Sequence, residues 1–519
     1  MAIVNSTRFS TKRVIATIIL ASLSGLPSHV SAQESKPATL PDGLVLKTPT
    51  IPAEVTGTLR SLNESLSHNL SPSDNAAVYL VQLFGENVFE PKLRANSLDM
   101  LGIEHLSKTA PQFVYVEPFV RSQGVTTREG AARNDAALPD QIVIGSEKPW
   151  NRTQYPSLFA YLTFNRGALD DVVALSEKPR YYCPVLTDQD PPQILTASLA
   201  VERRLPFLVQ VLTARAMLRF AEHKVVPALD DLLACQRLGL LLAVGSPLDV
   251  SAPKAQLINE IVCHASIAIL QSGQLSGEQA TTYLKRLERI PYLPPPNVAA
   301  NQGERAILHQ EIELLKREDT SLREFFDLPD TEGLKHLEQI RLSEIRWDQA
   351  IQRADEIQDQ IVQALAIHDR KEQYQRFQKL DLENADWKMN SDEKTLEIAE
   401  SVNKDLEPIS RWIGETMAMS LRPWYWQRRL SDDRSHVRHD LVTVGMALVA
   451  FGGDHGEYPS KLAELAPKYL ETIPLDAHSD APFNYVRLEK NRARLFTWGI
   501  NCQDDAGRIQ NDDRTIELR

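Results

Sequence analysis

Cysteine is scarce. Cys183, Cys235, Cys263 and Cys502 are the four in 519 residues, and no C-x-x-C occurs. A structural zinc or a thioredoxin-like redox motif therefore has no support. An oxidising compartment would permit disulfides, but four thiols allow three full pairings and sequence does not choose; buried free thiols are the simpler expectation. Glycine is thin as well, at 22 residues, which disfavours a turn-rich all-β fold and suits helices. Hydrolase and nucleotide signatures are missing: there is no G-x-S-x-G, H-E-x-x-H, P-loop or G-x-G-x-x-G. Sites assembled from distant residues escape such motifs, so the enzyme question stays open and leans toward no. A basic excess is missing too. The formal net charge is -12, which repels phosphate backbones, and general nucleic-acid binding is not expected.

What is present is ordinary globular composition, with 43% hydrophobic and 24% charged residues. The length is roughly three or four domains' worth. The start reads as a signal peptide. Arg8, Lys12 and Arg13 form a basic region, residues 14–26 a short apolar run, and Val30-Ser31-Ala32 an exit site of small residues. The run is shorter than the about 20 residues a bilayer needs. The expectation is an exported, periplasmic or envelope-associated protein with no transmembrane span after cleavage.

The chain then divides by character. Residues 1–32 are the signal peptide, 33–58 a linker and 59–200 a mixed, mostly helical region; 201–430 form a helical domain and 431–519 an α+β module. Residues 75–84 suit a helix capped by Ser73 or Asp74. Residues 121–153 read as a long surface loop, and 158–175 as a helix ended by Pro179. The clearest periodicity follows. Phe207, Val211, Ala214, Leu218 and Ala221 share one helical face, as do Ala228, Leu232, Cys235, Gly239 and Leu242, and then Ile258, Val262, Ala265 and Ile269. Gly239 permits close approach of a neighbouring helix, and Ser276 with Gln279 matches a capping box. These helices make hairpins of a bundle or a tetratricopeptide-like stack. Trp347, Ile351, Ala354, Ile361 and Leu365 form a further stripe, and residues 369–394 read as exposed. In the last segment a helix over 437–451 precedes a short helix over 460–465, and 483–488 and 494–498 suit a β-hairpin. The fold class expected is mainly α with a small C-terminal α+β module.

That last segment resembles the soluble C-terminal part of type II secretion major pseudopilins. The likeness is carried by the order of a helix, then DHGEYPSKLAEL, PKYLETIPLDAHSDAPFNY and FTWGINCQDDAG. Pseudopilins begin with a prepilin cleavage site and a long apolar helix. Here the module lies at the far end of the chain behind a short helix, so filament assembly is not carried over. The longer chain resembles a group of exported planctomycete-type proteins of unknown function, through DNAAVYLVQLFG, FNRGALDDVVALSEKPRYYCP, ARAMLRF and ALDDLLACQRLGLLLA. That similarity implies shared architecture and no activity.

The pseudopilin resemblance implies a calcium loop, for which Asp504, Asp505, Asp512 and Asp513 would supply hard oxygen ligands. Otherwise these are a solvated acidic turn, and no other cofactor is expected. His436 and His439, spaced i, i+3 beside Asp440, put two imidazoles on one helix side, as some metal sites require. Arg422, Trp424, Tyr425, Trp426, Arg428 and Arg429 mix aromatics and bases, as stacking platforms do, although an aromatic anchor between domains is the plainer reading. Glu304, Glu311 and Glu313 read as a charged surface face. The function expected is a non-catalytic binding or scaffold protein with an unknown protein partner in the envelope. The alternative is a periplasmic hydrolase with Asp454, His455 and Arg422 or Arg428 at the junction of helical region and module. A third reading is a calcium-stabilised module that docks to secretion machinery.

Overall fold

Apolar side chains recurring every three or four residues set most of the chain into helices. The structure, a computed structural model, describes residues 41–123, 137–246, 252–318, 320–328, 330–401, 405–420, 425–499 and 514–519. Part of the expected linker is structured: strand β1 (Val45–Leu46) pairs antiparallel with β2 (Ile103–His105), and Leu44 and Val55 are buried. Helix α1 (Gly57–Ser67) precedes α2 (Ala76–Phe84), which is apolar all round and buried over residues 76–83, as a central core helix must be. Its cap is Asn75, not Ser73 or Asp74. The Asn75 carboxamide accepts from the N–H groups of Ala77 and Tyr182 and donates to the Tyr182 carbonyl. One side chain thereby caps the helix and holds the distant segment that follows Pro179.

Helices α3 (Arg94–Leu101) and α4 (Val116–Ser122) follow. The expected surface loop over 121–153 contains helix α5 (Leu138–Glu147), which packs on the central bundle. Polar residues around it mask its short apolar face of Leu138, Ile142 and Gly145. Trp150 is also buried and donates its indole N–H to the Ala214 carbonyl at 2.9 Å. The single helix expected over 158–175 is two, α6 (Pro156–Phe164) and α7 (Arg166–Leu175). Asn165 breaks it by accepting from the Val114 N–H and donating to the Val114 carbonyl.

The long stripes become α8 (Leu205–Ala221), α9 (Val225–Gly245), α10 (Ala252–Gln271) and α11 (Gly277–Leu287), with the Ser276–Gln279 capping box in place. Gly239 sits where α10 crosses α9; a Cβ there would meet Ile258 at 2.9 Å. An ion network pins α7, α8 and α9 together. Fully buried Asp231 takes two donors from Arg215 at 2.7 and 3.1 Å and one from Arg219 at 2.8 Å, while Arg215 also reaches Asp170 at 2.6 Å.

Among the described residues there are two cores. The first joins residues from 44 to 307 with residues 437–518, so the C-terminal module closes the same core that the N-terminal half begins. The second lies wholly within residues 300–418. It is built by α12 (Arg305–Leu315), α13 (Trp347–Leu365), α14 (Arg370–Ser401) and α15 (Glu407–Ser420). Trp347, Ala354, Ile361 and Leu365 of the expected stripe are buried there. Most of α14 is exposed, as its charge predicts, although Phe377 and Leu380 are buried.

Helix α16 (Tyr425–His455) is 31 residues long, about twice the expected length. No helix among the described residues is long and apolar enough to cross a membrane. Helix α16 leads into β3 (Leu475–Asp476) paired with β4 (Ala481–Pro482), and into an antiparallel sheet β5 (Asn484–Glu489), β6 (Arg492–Phe496), β7 (Thr515–Leu518). The hairpin was expected; the third strand was not. Where α16 meets the start of α11, Gly453 faces Gly277 so closely that a Cβ on either would fall within 2.7 Å of the other backbone.

Candidate functional site

A polar seam in the first core lies between α10 and α16. Ser431, Arg434, Ser435 and Arg438 recur at i, i+3, i+4, i+7 on α16, which places them on one face. Across from them α10 offers Gln256, Asn259 and Glu260. Ser431 donates to Gln256 at 2.8 Å, Asn259 donates to the Ser435 hydroxyl at 2.8 Å, and Arg438 pairs with Glu260 at 2.8 Å.

Beside this seam opens a cleft of about 450 Å3. Pro253 and Leu257 of α10 form an apolar wall, α16 supplies Arg434 and Arg438, and the module contributes His478, Thr497 and Arg514. Arg434 and Arg514 are exposed and have no carboxylate partner among the described residues. Glu260, the acid in the lining, is already paired with Arg438. Burial holds the Arg438 guanidinium below its ordinary pKa; Glu260 opposes that, and Arg514 and Arg434 add to it by repulsion. His264, farther along α10, is likewise lowered, by burial first and then by Arg438. Among the described residues the cleft lining is thus cationic in an acidic chain.

The module's side of the cleft is fixed by Asp476. This fully buried carboxylate accepts from the backbone N–H groups of His478 and Trp498, both at 2.8 Å, and so ties β3 to the residues after β6. Thr497 and Arg514 exchange two further hydrogen bonds, at 3.0 and 2.8 Å.

Another side of α16 holds a second polar cluster. Tyr292 donates its hydroxyl to Asp440 at 2.6 Å, and its ring centroid lies 5.1 Å from those of His436 and His439. Burial pushes the Asp440 carboxyl up to about 7, with the Tyr292 hydrogen bond opposing and Asp476 adding. Burial, helped by His436, pushes His439 down to about 4. A small cavity of about 20 Å3, room for a single water, separates this cluster from Gln236 and Asn259.

The two histidines do share one side of the helix, against the tyrosine ring. Among the described residues, no group of three or more His, Cys, Asp or Glu side chains is arranged to hold a metal ion. Asp504, Asp505, Asp512 and Asp513 lie outside the described residues, as do Cys502 and residues 421–424 of the aromatic and basic segment. Cys183, Cys235 and Cys263 are buried and free, and burial pushes the Cys263 thiol up to about 12. Asp454 accepts from Lys468 and Tyr469, both at 2.7 Å, and His455 stacks on Phe451. Both sit at the C-terminal end of α16, while Arg428 belongs to its first turn. The helical rise puts about 40 Å between them, so His455, Asp454 and Arg428 share no site. Glu313 is near Lys316 at 3.8 Å, as a charged face would have it, whereas Glu304 is half-buried and accepts from the buried Gln358. Glu311 departs from that expectation: it is half-buried, and burial pushes its carboxyl up to about 7.

The cleft arginines, Tyr292 and Glu260 went unread in the sequence. The Ser431, Arg434, Ser435, Arg438 spacing was a usable signal; nothing local points to Arg514. Comparison with protein-family models, curated proteins and solved structures finds no match for the chain.

Proposed function

We propose that the chain is an exported, non-catalytic binding protein of the cell envelope, and that the cleft between α10, α16 and the C-terminal module is its binding locus. One observation carries the reading. The cleft walls come from two helices and two separate stretches of the module, each held by its own hydrogen bonds or ion pairs. Such a surface is ordered before a ligand arrives, which lowers the entropy cost of binding. The basic start, the short apolar run and Val30-Ser31-Ala32 support export with removal of residues 1–32. A pseudopilin-like module then serves as a contact domain fused to a helical body.

The test is photo-crosslinking in the native envelope. A photoreactive residue replaces Leu257 at the cleft or Leu382, which is 71% exposed on α14. A discrete adduct from position 257 alone, competed by purified unmodified protein, is the expected result, with a mature chain that starts at Gln33 by mass. Turnover of any ester, amide or glycoside by the purified protein, abolished by Arg438→Ala, would replace the binding reading with an enzymatic one.

A further inference from the structure

Charge balance inside the cleft points to a ligand class. Glu260 neutralises Arg438, and the two remaining guanidiniums, Arg434 and Arg514, face the same space without a carboxylate among the described residues. Counting the described residues, their positive field is unbalanced locally although the chain as a whole carries a formal charge of -12. Elsewhere among the described residues guanidiniums are matched by acids, as at Arg353, which pairs with Glu356 and Glu415. The volume of about 450 Å3 exceeds what a bare anion needs and falls in the range of small-molecule sites. Pro253, Leu257 and Val437 give it an apolar wall next to the cationic one.

We propose that this cleft binds a phosphate monoester, its dianionic head between Arg434, Arg438 and Arg514 and its organic part against Leu257. The inference rests on the cleft being the binding locus. A phosphate monoester carries close to two negative charges at neutral pH, which matches the two guanidiniums left over. Guanidinium forks suit phosphate oxygens in a bidentate way that an ammonium does not. The mutual repulsion of Arg438, Arg434 and Arg514 is relieved when the dianion arrives, and Ser431 and Thr497 lie in or beside the lining as hydroxyl groups.

Calorimetric titration of the mature full-length protein with inorganic phosphate, phenyl phosphate and benzoate in low-chloride buffer tests this. Phenyl phosphate binds most tightly, inorganic phosphate less so, and benzoate weakest. Arg434→Gln and Arg514→Gln each weaken both phosphate probes about tenfold. Leu257→Asn weakens phenyl phosphate and leaves inorganic phosphate unchanged, a split that general misfolding would not give. Arg317→Gln, on an exposed residue elsewhere, changes nothing. Flotation with phosphatidic acid vesicles separates the sources: arginine-dependent flotation assigns the monoester to a lipid head, and its absence alongside phenyl phosphate binding assigns it to a soluble molecule. Either result supports the site. No binding at millimolar probe, equal binding of benzoate, or indifference to both arginine substitutions overturns it. So does binding that emerges only after Asp504, Asp505, Asp512 and Asp513 are all changed to Asn, because the chain's own carboxylates would then be the occupant. A Leu257 crosslink without phosphate binding retires the ligand class and leaves the binding locus standing.

Discussion

At the scale of residues, two neighbours on α16 pull stability in opposite directions with pH. Asp440 is pushed up to about 7 from an ordinary carboxylate near 3.8. Its folded form favours the proton, so the stability it adds is complete below pH 4 and is lost as pH rises through 7. The shift corresponds to about 4 kcal/mol at most. His439 is pushed down to about 4 from 6.5. Its folded form favours the neutral ring, so its contribution is present above pH 6.5 and is lost as pH falls through 4. Between those limits the two oppose each other, and wild-type stability varies less than either alone would make it. Urea denaturation from pH 4 to 8 separates them: relative to Asp440→Asn the wild type loses stability as pH rises, and relative to His439→Asn it gains. A pH-independent difference for both variants would contradict this. Asp231 offers a second test. Burial raises its carboxyl while Arg215 and Arg219 pull it back. Asp231→Ala removes the buried acid that Arg215 and Arg219 share, leaving them only the half-exposed Asp170, and costs about 3–5 kcal/mol, readable as a lowered urea midpoint at pH 7.

At the scale of elements, helices that meet through glycine have no slack. Gly277→Leu forces a side chain into the backbone of α16 at Gly453 and lowers stability by about 1–3 kcal/mol. The same change at Gly456, with open space around it but a left-handed backbone, disturbs no helix contact. Hydrogen exchange distinguishes them: only Gly277→Leu loosens the amides of α11. Elements of this kind were the readable part of the sequence. The stripe through Leu232 and Leu242, the Ser276 cap and the Gly239 crossing all follow from local spacing, because one helix face is decided by residues a few positions apart. Helix α5 was missed because its buried face is short and polar residues surround it. The break at Asn165 was missed because it depends on Val114, far away in sequence. The candidate cleft was less legible still. Arg434 and Arg438 show their common face through spacing, but Arg514 joins them only through the pairing of β7 with β6, which no local pattern encodes.

At the scale of the whole molecule, the separate membership of the two cores predicts that they melt separately. Trp412 is buried in the second and donates to Thr395 at 2.9 Å, while Leu232 is buried in the first. Scanning calorimetry of the protein is expected to show two transitions. Trp412→Ala shifts one and Leu232→Ala the other, and a single transition moved by both would merge the cores into one cooperative unit.

The discontinuous first core also sets an order of events during biosynthesis. Ile516 and Leu518 of β7 are buried against a body whose other walls are laid down at the opposite end of the polypeptide. That body cannot seal until the closing strand has been made, whereas the intervening core, which draws only on residues 300–418, can collapse beforehand. A body arranged this way stays open along one wall until a strand far along the chain is in hand, and locks only then.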